Sequence, residues 1–134
     1  AAHINGNVVF GKNIKIWRIV HLSTFPNQTL TIEDNVKILW GDIIKGNIII
    51  GENSIIESSV NMTGSDEYPL RIGKNVLIKG SSYLFGSIVE DSVVIEHSVL
   101  IKKKVKAEKD AAGKIKPIRF YIPETEGKDL LSDI

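Results

Sequence analysis

The sequence contains no cysteine among its 134 residues. This absence excludes disulfide bonds, a thiolate nucleophile and any zinc site built on cysteine. Long apolar segments are also missing, since no apolar run exceeds four residues, whereas a membrane-spanning helix needs about 20. The N-terminal segment shows no basic stretch followed by a long apolar one, as a secretory signal would. We therefore expect a cytoplasmic protein that does not insert into membranes.

Neither sign of charge predominates, because the chain has 17 basic and 16 acidic residues, and its net charge is +1. Such a balance argues against a broad electrostatic surface for nucleic acid or anionic lipid. The one local concentration of charge is Lys102–Lys104, followed by Lys106 and Lys109. We interpret it as a solvated segment rather than a polyanion site. Neither nucleic acid nor membrane is expected as a partner.

The chain repeats itself, and a repeat decides the fold before any other feature does. Five segments share a large apolar residue, then glycine or a substitute, a charged residue, and asparagine or aspartate. They are Phe10–Ile14, Ile32–Val36, Ile50–Ser54, Ile72–Val76 and Ile88–Ser92. Their first residues are separated by 22, 18, 22 and 16 positions. Eighteen residues are three hexapeptides, and 22 are the same turn with a four-residue excursion.

Aliphatic residues recur every six positions within each turn, for example at Ile72, Ile78 and Leu84, or at Ile88 and Val94. This period is neither helical nor a simple strand alternation, but a three-sided solenoid requires it. Each short strand then points one aliphatic side chain inward, and asparagine or glycine forms the corners. We predict an all-β fold, a parallel β-helix of about five coils over residues 1–105. The alternative, a β-sandwich, does not explain the repeated segments.

The remainder, residues 106–134, breaks the repeat. Residues 107–112 could form one or two helical turns that end at Gly113, and residues 128–134 could form a terminal helix. An extended segment over residues 118–122 lies between two prolines. We expect this irregular or short helical tail to pack on the solenoid or on a neighbouring subunit, because exposed sheet edges invite aggregation.

Residues 38 to about 101 carry a more specific pattern. It runs through Ile38–Asp42 (ILWGD), Ile50–Glu57 (IGENSIIE), the loop Gly64–Tyr68 and Pro69–Val76 (PLRIGKNV). In these motifs, and in the 16-residue step from Ile72 to Ile88, the chain resembles the γ-class carbonic anhydrase family of hexapeptide-repeat proteins. The resemblance implies a left-handed β-helix and a homotrimer. It also implies a zinc ion between neighbouring subunits, held by three histidines.

The three histidine positions of that family fall on Thr63, Gly80 and Phe85, and none of these is a histidine. A one-residue shift in the loop would place the first on Asn61 or Met62 instead, and neither of these is a histidine. Catalysis in the family depends on a metal that lowers the pKa of bound water, so that hydroxide forms near neutral pH. The resemblance therefore implies a degenerate site without zinc.

Two further family positions keep a polar side chain, Asp42 and Glu57, whereas Trp40 and Ile55 replace polar family residues. Together with Thr63, Gly80 and Phe85, they define the remnant of a cleft. The first functional hypothesis is a homotrimeric, non-catalytic scaffold or binding protein. Outward rings at Trp17, Trp40 and Phe85 would suit it if a neighbouring subunit covers them. The alternative is that these rings cap loops within one chain.

Two other functions stay open at this point. An acyltransferase of the same superfamily would bind acetyl-CoA and use His21 or His97 as general base. A carbonic anhydrase with a relocated metal would use Asp42, Glu57 and a histidine from another chain. A hetero-assembly with a metal-competent paralogue also stays open. On the first hypothesis we expect no cofactor.

Overall fold

The computed structural model describes residues 2–118 and 130–134, and these residues form a parallel β-solenoid of six turns. Each turn contributes one strand to each of three sheets. Sheet 1 contains β1 (His3–Asn5), β4 (His21–Ser23), β7 (Ile43–Gly46), β10 (Asn61–Gly64), β13 (Tyr83–Phe85) and β16 (Val99–Ile101). Sheet 2 contains β2 (Val8–Phe10), β5 (Leu30–Ile32), β8 (Ile48–Ile50), β11 (Leu70–Ile72), β14 (Ile88–Val89), β17 (Lys103–Val105) and β20 (Leu131–Asp133). Sheet 3 contains β3 (Lys15–Ile16), β6 (Lys37–Ile38), β9 (Ile55–Ile56), β12 (Leu77–Ile78), β15 (Val94–Ile95), β18 (Glu108–Lys109) and β19 (Ile115–Ile118).

The inward column of the solenoid follows the period of six that the sequence shows. On sheet 1 the inward residues Leu22, Ile44, Met62 and Leu84 pair in register on successive parallel strands, and all four are completely buried. Branched aliphatic side chains suit such short pleated strands. The predicted all-β solenoid is confirmed, with one turn more than the five repeated segments indicated. Left-handed winding stays a prediction from the resemblance.

The fifth repeated segment is displaced by one residue from its predicted alignment. Val89, not Ile88, pairs with Ile72 and is buried, whereas Ile88 pairs with Arg71 and is 37% exposed. The prediction that Ile88 and Val94 point inward is therefore wrong, and the step is 17 residues long. Adjacent β-branched residues made the two alignments indistinguishable by pattern.

The corner between sheets 2 and 3 confirms the expected role of asparagine. Asn13, Asn35, Asn53 and Asn75 have φ between 57° and 62°, and Ser92 takes the same place with φ 66°. Asparagine tolerates this left-handed conformation better than most residues do. The chain can therefore turn sharply at this corner in five successive coils.

Two excursions account for the 22-residue steps, and both lie at the corner between sheets 1 and 2. They comprise residues 24–29, between β4 and β5, and residues 65–69, between β10 and β11. The Gln28 side chain joins them, since its Nε2 donates to Asp66 Oδ1 at 3.0 Å. The intervening coil turns at Gly46, where a Cβ would lie 2.0 Å from the carbonyl oxygen of Gly64. The two loops therefore stack over a narrow, glycine-lined turn.

The C-terminal residues differ from their prediction, because strands replace the expected helices. β18 pairs antiparallel with β19, and β20 pairs antiparallel with β17. The unpaired backbone groups at the end of a parallel stack favour added strands over local helices. The extended segment expected over residues 118–122 lies outside the described residues after position 118. Among the described residues, no helix is long and apolar enough to span a bilayer.

Candidate functional site

The five positions taken from the family resemblance fall into two groups within one chain. Thr63 and Phe85 pair in register on β10 and β13 and lie on the outer surface of sheet 1. Asp42 and Gly80 instead lie at the corner between sheets 3 and 1, where Glu57 is close enough to influence the Asp42 carboxyl. A single subunit therefore does not gather these five positions into one cleft.

Gly80 has no space for a ligand side chain. A Cβ at this position would lie 1.8 Å from the carbonyl oxygen of Ser58, in the preceding coil. Real Cβ atoms do not approach backbone oxygens so closely, so any side chain here would force the two coils apart. The position that would carry the second histidine thus has a backbone that accepts only glycine.

Phe85 is partly covered by its own chain. Its ring lies 6.5 Å from the ring of Tyr68, with the planes tilted by 50°, and Tyr68 belongs to the second excursion. The Lys102 ammonium lies 4.4 Å from the Tyr68 ring centroid, in a cation–π contact. Phe85 therefore packs against a loop of its own chain, which is the alternative stated above for the outward rings. Trp17 and Trp40 remain 38% and 51% exposed.

Asp42 is the one completely buried carboxyl at the site. Its Oδ1 accepts a hydrogen bond from the Val60 N–H at 2.8 Å, while Oδ2 has no partner among the described residues. Burial raises the pKa of Asp42 to about 8, although the backbone groups of Val60 and Leu39 oppose the shift and the charge of Glu57 adds to it. At neutral pH most molecules therefore carry a protonated carboxyl here.

The role of Asp42 has a parallel elsewhere in the same corner. Ser82 occupies the corresponding position two coils later, and its Oγ accepts the Ser98 N–H at 3.0 Å. Both side chains thus accept a hydrogen bond from the backbone N–H at the corresponding position of the next coil. This geometry describes a structural corner bond, and it requires no charge on Asp42.

The donor groups at these positions do not fit a zinc ion. Thr63, Gly80 and Phe85 provide no imidazole, and zinc sites are built from nitrogen, thiolate and carboxylate ligands. Within the described ranges 2–118 and 130–134, no three histidine, aspartate or glutamate side chains come together as a metal site would require. The expected absence of a cofactor stays a prediction.

The two histidines proposed for acyl transfer are far apart. His21 lies on β4 and stacks on His3 of β1, with ring centroids 4.8 Å apart and planes within 8°. His97 is exposed at the turn before β16, with φ 45°. Four strand spacings separate β4 from β16, or about 19 Å at roughly 4.8 Å each. The two histidines therefore belong to different sites within one chain, and the role of either as a general base stays a prediction.

The surface that sequence reasoning missed is the outer side of sheet 1 at its C-terminal end. Tyr83 pairs with Val99, and Phe85 pairs with Ile101, so four apolar side chains form one patch. We call this patch the apolar half-face. Tyr83, Val99 and Ile101 are 37%, 41% and 48% exposed. The signal was present in the sequence, because these residues flank the inward Leu84 and Leu100 on both sides.

β16 also forms the edge of sheet 1. At this end of the solenoid, sheets 2 and 3 are each extended by an antiparallel strand, β20 and β18. Of the residues that the structure describes, none pairs with the outer side of β16. An apolar edge strand that lacks a neighbour is a surface on which other chains pair.

Compared with known protein families and with curated proteins, the chain has no match in either set. The architecture itself, a parallel β-solenoid of short strands with a period of six, is compatible with hexapeptide-repeat proteins. The architecture is shared by many families and does not assign the chain to one of them.

Proposed function

We propose that this protein is a homotrimeric, non-catalytic scaffold or binding protein of the γ-carbonic anhydrase-like type. The single observation that carries the proposal is the apolar half-face. Contiguous exposed apolar surface is unusual on a soluble monomer and typically marks a protein interface. This surface lies on sheet 1, whose edge strand β16 has no neighbour among the described residues, and such an edge suits packing against another prism.

The apolar half-face covers only β13 and β16, the last two strands of sheet 1, and not the other strands of that sheet. A copy that offers this patch to a different surface of its neighbour makes a head-to-tail contact, and such contacts form a ring when the rotation between successive copies closes. A ring of three matches the assembly that the resemblance implies. In such a ring, Thr63 and Phe85 of one subunit could approach the Asp42 corner of the next.

The loss of carbonic anhydrase activity is supported by the geometry at the former ligand positions. Gly80 accommodates no side chain, and Phe85 is packed against Tyr68. Without a metal ion there is no means of forming hydroxide at neutral pH. A functional role would then lie in what the assembled surfaces bind.

Light scattering coupled to size exclusion tests the assembly. We expect three times the mass of one chain for the wild type at micromolar concentration. Ile101→Lys buries a charge in the interface and should raise the dissociation constant by about 100-fold or more. Ser23→Lys is the matched control, because Ser23 occupies the same outward column of sheet 1, and it should leave the trimer intact. A monomeric wild type would overturn the proposal.

Metal analysis and stopped-flow CO₂ hydration test the second half of the proposal. Protein purified with zinc in the medium should hold substoichiometric metal and show no rate above the uncatalysed one. Stoichiometric zinc with measurable hydration would contradict the non-catalytic role, and loss of both on His21→Ala or His97→Ala would identify a relocated site.

A further inference from the structure

The first two turns carry a group of basic side chains that have no acidic partner among the described residues. Lys15 and Lys37 pair in register on β3 and β6, and both are exposed on the outer side of sheet 3. Like charges that lie directly opposite one another on neighbouring strands destabilise a sheet. Arg18 follows two residues after β3 and is also exposed. Nothing in the packing of the solenoid requires two lysines at these paired positions.

Other lysines of the solenoid are arranged differently. Five of them form ion pairs, each with a carboxylate on a neighbouring strand or turn: Lys74–Glu52 (3.4 Å), Lys79–Glu96 (3.8 Å), Lys104–Glu90 (3.8 Å), Lys116–Glu108 (3.7 Å) and Lys103–Asp133. Within residues 2–118 and 130–134, no ion pair involves Lys15, Lys37 or Arg18. The repeat can place a carboxylate opposite a lysine, and at this location it places a second lysine instead.

Two indole rings flank these charges. A cleft of about 470 Å³ is lined by Ala2, Lys15, Ile16, Trp17, Arg18 and Trp40. The cleft is shallow and open to solvent along one side, so a ligand here would be partly exposed. Trp17 and Trp40 are the only tryptophans of the chain, and both are substantially exposed. An exposed indole face offers stacking to a flat ring, and an adjacent cation offers a bond to an anion.

We propose that this cleft binds a small anion joined to a flat ring, of the nucleoside phosphate type. The ring stacks on an indole of Trp17 or Trp40, and the phosphate lies against Lys15 and Arg18. Lys37 adds a long-range attraction from the neighbouring strand. All the residues that line the cleft belong to one chain, so AMP binding does not require the proposed assembly.

Intrinsic fluorescence reports directly on this site, because both tryptophans line it. Titration with AMP, excited at a wavelength that the nucleotide does not absorb, should change the emission in a saturable way. Adenosine and inorganic phosphate each provide one half of the ligand and should bind at least about tenfold more weakly. The affinity for AMP should fall as salt is added.

Lys15→Gln and Arg18→Gln should each weaken AMP binding about tenfold, since each removes a charge-assisted hydrogen bond. Lys109→Gln is the matched control, because Lys109 is exposed in β18 at the other end of the solenoid. Far-UV circular dichroism verifies that each variant is folded, and equilibrium dialysis with AMP measures binding independently of the tryptophans. Trp17→Phe and Trp40→Phe leave one reporter each and identify the stacking ring.

Several results would overturn the proposal. Absence of saturable binding by dialysis at millimolar AMP would remove the site. Equal affinity for adenosine and AMP would contradict the phosphate contact, and equal affinity for phosphate and AMP would contradict the stacked ring. Unchanged AMP binding in both Lys15→Gln and Arg18→Gln would place the nucleotide elsewhere.

Discussion

The two ends of sheet 1 share one inner surface but have opposite outer surfaces. At the N-terminal end, the outward residues of β1 and β4 are His3, Asn5, His21 and Ser23, all polar. At the C-terminal end, the same columns on β13 and β16 contain only the apolar half-face. Between these outward columns the inward Leu22 and Leu84 are equally buried.

This contrast distinguishes the inward positions, where the repeat requires particular residues, from the outward positions, where it does not. Stacking of coils demands an aliphatic residue at every inward position, whatever lies outside. The outward positions carry no such demand, so their change along the axis reflects what each end contacts. An apolar end suits another copy of the chain. The polar outer side of β1 and β4 suits solvent, and the basic side chains of Lys15, Lys37 and Arg18 on the same turns suit small anionic ligands.

The largest expected effect concerns Asp42 and its dependence on pH. Burial holds the pKa of Asp42 at about 8 in the folded chain, above the ordinary value of 3.8. The native state thus retains a proton that the unfolded state releases, so stability falls as pH rises between these values and levels off above about pH 8. Each pH unit within this window removes up to about 1.4 kcal/mol.

Asp42→Asn should abolish most of that slope and increase the stability at pH 8 by several kcal/mol, as urea unfolding at a series of pH values would show. Ser82→Ala provides the comparison from the other end of the same corner. It removes the acceptor for the Ser98 N–H and should cost about 1–2 kcal/mol at every pH. A wild-type stability that rises between pH 4 and pH 8 by more than in Asp42→Asn would contradict the buried, protonated carboxyl.

The shared inner surface makes a second prediction. Leu22→Ala and Leu84→Ala each leave a cavity beneath a fully buried position, and each should lower the free energy of unfolding by about 3–5 kcal/mol. Denaturation in an Ile101→Lys background excludes any contribution from self-association. A cost at Leu84 that exceeds the cost at Leu22 by more than about 2 kcal/mol would show that the two ends are not equivalent inside.

A sequence pattern predicts this fold well only where no other structure would produce the same pattern. The inward column was predictable, because only stacked coils explain a period of six. The alignment of the fifth segment was not, because Ile88 and Val89 are both β-branched and either could point inward. The segment 107–112 has helix-forming residues, yet β18 forms there because β19, which stacks on β15, offers it an edge for antiparallel pairing.

The candidate site was less predictable than the fold. The resemblance to γ-class carbonic anhydrases could indicate that Thr63, Gly80 and Phe85 stand where that family has histidines. It could not show that Ser58 occupies the space of a Gly80 side chain, because that contact joins two coils. Nor could it show that Asp42 is buried and hydrogen-bonded to Val60, since a polar residue at a corner is more often exposed.

The smallest expected effect tests the two like charges of Lys15 and Lys37 at the N-terminal end. Lys37→Glu places a carboxylate opposite Lys15 and converts a repulsive cross-strand pair into an attractive one. The free energy of unfolding should rise by about 0.5 kcal/mol, and the gain should diminish at high salt. AMP affinity should fall at the same time, because the new carboxylate neutralises Lys15.

Lys74→Glu makes the reverse change in the middle of the solenoid, where Lys74 pairs with Glu52 at 3.4 Å. Two carboxylates would then face each other, and stability should fall by about 0.5 kcal/mol without any effect on AMP. A site selected for binding should lose function when its charges are balanced, whereas an ordinary surface should lose only stability when its charges are unbalanced. If Lys37→Glu leaves both stability and AMP affinity unchanged, Lys15 and Lys37 do not interact, and the contrast between the two regions does not extend to their charges.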